Sequence, residues 1–394
     1  MSQTTADTPQ ADDPVPRREV TLANWRRQPY SGWAFSHLRE IAPTAAINPQ
    51  RGRETLPDMG GVLSEPMAFG NDSRTIGAVL GLLSTDVLLA CRNGQPTLGW
   101  VAPHADANAP HLLFSVSKSI TGLVAGALAQ DGRLDPSAPV VHYLPECAGS
   151  AFEDATVRNL LDMRVSMNVD ETYGNDLDWG ARYRRAVLWD PAQPGEKIDL
   201  LSLLFDLRKG DEGHGQAFRY RSANTDVLGA VISAAAGKAF HDVAAETLWA
   251  PMQARGEAHI GVDGIGTALT AGGISCTAFD LARIGELLRC GGAVGGKQVL
   301  SPDLVEDTLH GGDAEAWNTG DWGKTMPGHR YRNQWYARGD SDGCFFAKGI
   351  HGQWLYVNPR RQVTIVKLSS QDVAKEETTN ALTLALLDAI AERL

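Results

Sequence analysis

Long apolar runs are missing from this chain. No stretch of about eighteen consecutive apolar residues occurs, so no membrane span is expected. Cysteine is scarce and unpatterned. Cys91, Cys147, Cys276, Cys290 and Cys344 are odd in number, widely spaced, and include no Cys-x-x-Cys. They read as reduced thiols of a cytoplasmic protein. Concentrated positive charge is also missing. The net charge is −11, and the 36 Lys and Arg residues are scattered, which argues against a nucleic-acid partner. The first twenty residues lack an apolar segment and read as a flexible tail, residues 1–20, not a signal peptide. Two catalytic signatures are absent. Without Gly-x-Ser-x-Gly there is no support for an α/β-hydrolase elbow, and without His-Glu-x-x-His none for a zinc peptidase. The ten histidines are dispersed, and neither a metal nor another cofactor is implied.

What is present centres on Ser115-Val116-Ser117-Lys118, the one Ser-x-x-Lys in the chain. An apolar run leads into it and an amphipathic helix leaves from it, with Ile120, Leu123, Val124, Ala127 and Leu128 at helical spacing. This places a serine hydroxyl at a helix start and a lysine amine one turn later on the same side. A serine hydroxyl needs a base beside it, and a lysine serves once burial or a neighbouring cation lowers its pKa. The plain alternative is a helix N-cap serine with a solvated lysine.

The chain is long enough for one large domain or two ordinary ones, and 43% apolar residues suffice for a large core. Residues 21–75 read as irregular, with Trp25, Tyr30, Trp33 and Phe35 packed on the main body. From Ile76 the pattern turns to strand. Val87–Cys91, Asn93-Gly94 and Leu98–Val101 make a β-hairpin. The middle of the chain reads as largely helical. Strand-like stretches return at 344–347, 353–357 and 363–368, and a helix over 379–394 closes the chain. This predicts a sheet built from both ends of the chain. An α/β domain covers 21–165 and 262–394, and a mainly helical domain, 166–261, is inserted between its halves.

Two further segments complete a candidate site. Tyr220 precedes a helix start at Ser222-Ala223-Asn224, and its phenol can pass a proton between the serine oxygen and a leaving group. The plain alternative is a buried tyrosine beside a capping residue. His351-Gly352-Gln353 opens a late strand, where the small Gly352 lets a substrate lie along the edge. There the Ile350 amide can join the Ser115 amide around an oxyanion.

The order Ser-x-x-Lys, Tyr-x-Ser, late glycine-containing strand resembles the penicillin-recognising serine hydrolases of the class C β-lactamase type. Gly132-Arg133-Leu134-Asp135, Thr156–Leu161 and Gly272–Leu281 add to the match. Within that superfamily the chain looks most similar to the 6-aminohexanoate-dimer hydrolases, which act on nylon oligomers. Trp33–Leu38, Ser222–Leu228, Gly349–Gln353 and Val366–Ser370 carry that likeness. The resemblance implies a β-lactamase-like α/β (α+β) fold, a central antiparallel sheet flanked by helices. It implies Ser115 as nucleophile, Lys118 as general base, Tyr220 as proton shuttle and the Ser115 and Ile350 amides as oxyanion hole. Tyr173 resembles a mobile-loop tyrosine that closes on the scissile amide. Tyr336 falls where the nylon hydrolases line the cleft with tryptophan. Trp189, His351 and Gly352 join the substrate-binding set. A homodimer is implied by the resemblance alone.

There are departures from the family pattern. His351-Gly352-Gln353 replaces the usual Lys-Thr-Gly, whose lysine sits near the β-lactam carboxylate, so weak β-lactamase activity is expected. Arg184 stands where an efficient dimer hydrolase has a carboxylate for the substrate amine, with Asp176 and Asp178 as alternative carboxylates. The resulting expectation is a serine hydrolase of small-molecule amides or esters. It would cleave linear amides such as 6-aminohexanoate oligomers, and carboxyl esters. The alternatives are a carboxylesterase with little amidase activity, a D-amino-acid peptidase, or an idle scaffold that only binds.

Overall fold

The computed structural model describes residues 15–169, 179–193, 195–196 and 198–394. Its strands, in chain order, are β1 (Thr44–Asn48), β2 (Thr85–Arg92), β3 (Gln95–Val101), β4 (His111–Leu112), β5 (Ala258–Gly261), β6 (Ile274–Cys276), β7 (Arg330–Arg332), β8 (Trp335–Ala337), β9 (Phe345–Gly349), β10 (Gln353–Asn358) and β11 (Val363–Ser369). Two short two-stranded ribbons accompany them, at 66–75 and 293–298. The helices that matter here are α1 (Ile76–Leu82), α2 (Val116–Gln130), α3 (Val157–Leu161), α4 (Ser222–Ala236), α5 (Ala278–Arg289) and α6 (Glu377–Arg393).

The main sheet is antiparallel and has seven strands in the order β7-β8-β9-β10-β11-β2-β3. Its centre joins the late strands β10 and β11 to the early hairpin β2–β3, so the two ends of the chain meet there. Side chains alternate between faces along a strand, and the central strands feed two cores. Leu89, Leu355, Val357, Val366 and Leu368 join one apolar cluster. Leu88, Ala90, Trp354, Tyr356 and Ile365 join the other. Burial on both faces explains why β2 reads as a nearly continuous apolar run. α5 packs on β10, β11 and β2 on one side, while α6 and α1 contribute to the cluster on the other.

α2 is buried on every side from Val116 to Leu128. Its sequence is correspondingly apolar or small all round, as a helix enclosed by neighbours must be. It runs between the sheet and α4. A second antiparallel sheet, β1-β5-β6-β4, ends immediately before α2 and aims the chain into it. Among the described residues no single helix is long and apolar enough to cross a membrane.

Two local expectations are corrected. Residues 76–82 form the helix α1, not a strand. The Thr75 hydroxyl accepts the Ala78 N–H as an N-cap, worth about 1 kcal/mol, and Ile76, Val79 and Leu80 are buried at helical spacing. The stretch 21–75 is less irregular than expected, because β1 lies within it and pairs with β5. Only Ile47 and Asn48 of β1 are buried, so its alternation is faint. All five cysteines are unpaired thiols, four of them buried.

Candidate active site

β4 delivers the chain through Leu113 and Phe114 to Ser115. Phe114 adopts a left-handed backbone, with φ of 44°. That conformation costs a phenylalanine about 1–3 kcal/mol. Its buried ring, set among Phe35, Trp189 and His351, holds it there. The strained residue turns the chain sharply, so Ser115 stands at the N-cap position of α2. Its hydroxyl makes no capping bond. It lies 3.1 Å from Lys118 Nζ instead. Lys118 is almost fully buried, and its amine also donates to Ser222 Oγ at 3.2 Å and to the Ala271 carbonyl at 2.8 Å. All three partners are neutral oxygens. A lysine within 3.1 Å of a serine hydroxyl is within range for proton transfer.

Tyr220 enters from the segment before α4. Its ring centre is 5.1 Å from Lys118 Nζ, and its backbone N–H donates to Asp321 at 3.0 Å. The loop after β9 completes the group. A methyl group on Gly349 would fall 3.0 Å from the Ser115 nitrogen and 2.6 Å from the Leu113 carbonyl. The end of β9 therefore lies directly against the Ser115 amide, with Ile350 next in the chain.

Two cavities meet at Ser115. The first, of about 330 Å³, is lined by Tyr220, Trp322, Tyr336, Lys348, Ile350 and Lys375, among others. The second, of about 100 Å³, is lined by Phe114, Lys118, Trp179, Arg184, Trp189 and His351, among others. Ser115, Lys118, Tyr220 and Ile350 are thus brought together. Tyr336 lies on the first side, and Trp189, Arg184 and His351 on the second. Tyr173, Asp176 and Asp178 fall outside the described residues.

Gly352 is a correction. Its φ is 90°, and an added methyl group would strike the Gln371 side chain at 2.7 Å. It lines neither cavity. The strand end beside Ser115 is Ala347-Lys348-Gly349, and His351-Gly352 belongs to the tight turn that follows. Gly349 makes the close approach because β9, not β10, runs up to Ser115. His351 braces that turn. Its Nδ1 lies 2.6 Å from the Gln371 carbonyl, and burial lowers its pKa to about 4, so the ring is neutral near pH 7. Gln353 Nε2 donates to the His351 and Ser369 carbonyls at 3.1 and 2.6 Å, tying the same turn to β11.

Arg184 does not act alone. Its Nε lies 2.6 Å from Asp190, which also pairs with Arg26. The sequence reading did not single out Asp190. It also left Ser222 without a contact to Lys118, although Tyr-x-Ser was a usable signal. Trp322, Lys348 and Lys375 had no signal, since only folding brings them to Ser115.

The β-lactamase family model matches residues 72–389. The chain belongs to the β-lactamase family of serine hydrolases. It is 36% identical, over 356 residues, to the 6-aminohexanoate-dimer hydrolase of Paenarthrobacter ureafaciens, an alignment covering 89% of this chain and 88% of that protein. Its fold is similar to that of a candidate 6-aminohexanoate-dimer hydrolase from Bacillus anthracis, with a TM-score of 0.86, 24% identity and coverage of 97% and 98%. It also resembles EstCE1, a hydrolase with promiscuous acyltransferase activity, with a TM-score of 0.60, 17% identity and coverage of 80% and 98%. The antiparallel sheet flanked by helices is the fold expected of the β-lactamase family.

Proposed function

We propose that this chain hydrolyses linear amides such as 6-aminohexanoate oligomers, and carboxyl esters, through an acyl-enzyme on Ser115. In this reading Lys118 accepts the Ser115 proton while Oγ attacks the carbonyl carbon. The Ser115 and Ile350 amides hold the resulting oxyanion. Tyr220 relays the proton to the departing amine or alkoxide. Water then attacks the ester, with the same groups acting in reverse. The observation that carries the reading is the buried Lys118 amine 3.1 Å from Ser115 Oγ, beneath the Tyr220 ring. The 36% identity to a 6-aminohexanoate-dimer hydrolase supports the choice of amide.

A second reading, an esterase with little amidase activity, is favoured by Arg184. No carboxylate stands among the described residues lining the second cavity, so none of them offers an ion-pair partner to a substrate ammonium. Turnover of p-nitrophenyl acetate and of the linear 6-aminohexanoate dimer by wild type and Ser115→Ala separates the two. Ser115-dependent cleavage of both supports the amide reading. Cleavage of the ester alone supports the esterase, and cleavage of neither removes both.

A further inference from the structure

The larger cavity at Ser115 carries a pair of cations that the proposed chemistry does not use. Lys348, the residue before Gly349, places its Nζ 4.5 Å from the centre of the Trp322 ring and 5.3 Å from that of Tyr336. Lys375, from the segment leading into α6, places its Nζ 5.2 Å from the same Trp322 ring. Among the described residues neither lysine forms an ion pair. The cavity's own carboxylate, Asp321, is held by Arg219 at 3.3 Å and Arg221 at 2.9 Å. Glu377 favours the charged form of Lys348 and Lys375 opposes it. Two ammonium groups thus share one indole; Lys348 is half-buried, with the Met326 sulfur 3.6 Å from its Nζ, and Lys375 is exposed. Aromatic faces only partly replace the hydration that the half-buried Lys348 loses. A bound anion would relieve both the desolvation and the mutual repulsion.

Tyr220 lines this cavity, so under the hydrolase reading, on which this inference rests, the leaving half of the substrate occupies it. We propose that Lys348 and Lys375 bind a carboxylate on the leaving half, making the preferred substrates acyl amides or esters of amino acids and hydroxy acids. The 6-aminohexanoate oligomers meet that description. Burial and the neighbouring Lys375 lower the Lys348 pKa to about 8. Affinity for an anionic substrate should therefore weaken as pH rises through about 8, while that for a neutral substrate should not.

The test compares 4-acetoxybenzoate with neutral 4-acetoxybenzamide, whose leaving halves differ in charge. Wild type should favour the anion in kcat/KM by about tenfold, a typical yield of one charge contact. That ratio should fall towards one in Lys348→Met, fall less in Lys375→Met, and survive in Lys348→Arg. Calorimetric titration of 4-hydroxybenzoate and 4-hydroxybenzamide into Ser115→Ala, with and without Lys348→Met, reads the site without turnover. Preferential binding of the acid that Lys348→Met removes supports the proposal. It does so even if no Ser115-dependent turnover is found, in which case only the hydrolase reading falls. Equal binding of acid and amide, or a preference that survives in both Lys348→Met and Lys375→Met, overturns it.

Discussion

The Ser115 corner and the cleft walls are built on different terms. Ser115 and Lys118 lie on one turn of α2, three residues apart, and the helix around them is buried on every side. Their 3.1 Å contact follows from helix geometry plus one strained residue, Phe114. The walls are assembled from distant segments. Tyr220, Trp322, Tyr336, Lys348 and Lys375 come from five stretches spread over 156 residues of the chain. The comparison teaches that, under the proposed function, the chemistry is encoded locally and the selectivity non-locally. Substitutions at the corner should act on rate, and substitutions in the walls on which substrate is taken.

The largest expected effect sits at the corner. Ser115→Ala should remove turnover, a loss of about 10³-fold or more, and Lys118→Ala should fall nearly as far. Because the pair acts as a unit, the double variant should be no worse than Ser115→Ala alone. Steady-state rates on p-nitrophenyl acetate decide this, and near wild-type turnover by Lys118→Ala would remove the lysine from the corner.

Next come two glycines, Gly349 before the tight turn and Gly352 within it. Gly349→Ala pushes a methyl group to within 3.0 Å of the Ser115 nitrogen. It should lower kcat by about tenfold to a hundredfold, the range of losing up to one oxyanion-hole donor. Gly352→Ala should instead lower stability, by about 1–2 kcal/mol, because its φ of 90° strains any side chain. Paired kinetics and thermal melts test the contrast, and an exchange of the two effects would show that Gly352, not Gly349, faces the nucleophile.

His351 adds a pH signature. Its pKa is about 4 in the folded chain against an ordinary 6.5. Between those values the unfolded chain binds the extra proton, so the wild type should lose stability as pH falls from about 6.5 to about 4. The loss should reach on the order of 3 kcal/mol. Denaturation of wild type and His351→Gln across that range measures the effect, since the stability difference between them should change with pH there and become constant above about pH 7.5.

The smallest effect belongs to the second wall. Arg184→Gln should lower KM for the linear 6-aminohexanoate dimer by a few fold and leave KM for p-nitrophenyl acetate nearly unmoved. The gain is small because Asp190, at 2.6 Å, already offsets part of the arginine charge. An equal change on both substrates would mean that Arg184 shapes the cavity and does not screen charge.

Much of the frame was legible. The hairpin β2–β3 was evident from two apolar runs around Asn93-Gly94, and α2, α4 and α5 from their spacing and boundaries. Short strands were not. β5, β6, β7 and β8 have three or four residues each, too few for alternation to stand out; β5 depends on its distant partner β1, while β7 and β8 form a tight hairpin with each other. α1 was misread because Ile76-Gly77-Ala78-Val79-Leu80 is apolar enough for either element, and the Thr75 cap decided it. Gly349 and Gly352 were indistinguishable as letters, three positions apart; only the path of β9 against Leu113 and Ser115 separates them.

The sequence by itself determined the Ser115–Lys118 pair, the family, and the meeting of both chain ends in one sheet. Those depend on spacing along a helix, on ordered motifs and on apolar runs. Only the tertiary structure decided that Tyr220 lies over Lys118, that Gly349 abuts the Ser115 amide, that Asp190 offsets Arg184, and that Lys348 and Lys375 share one indole. These are contacts between residues far apart in the chain, and no local pattern records a distance that packing alone creates.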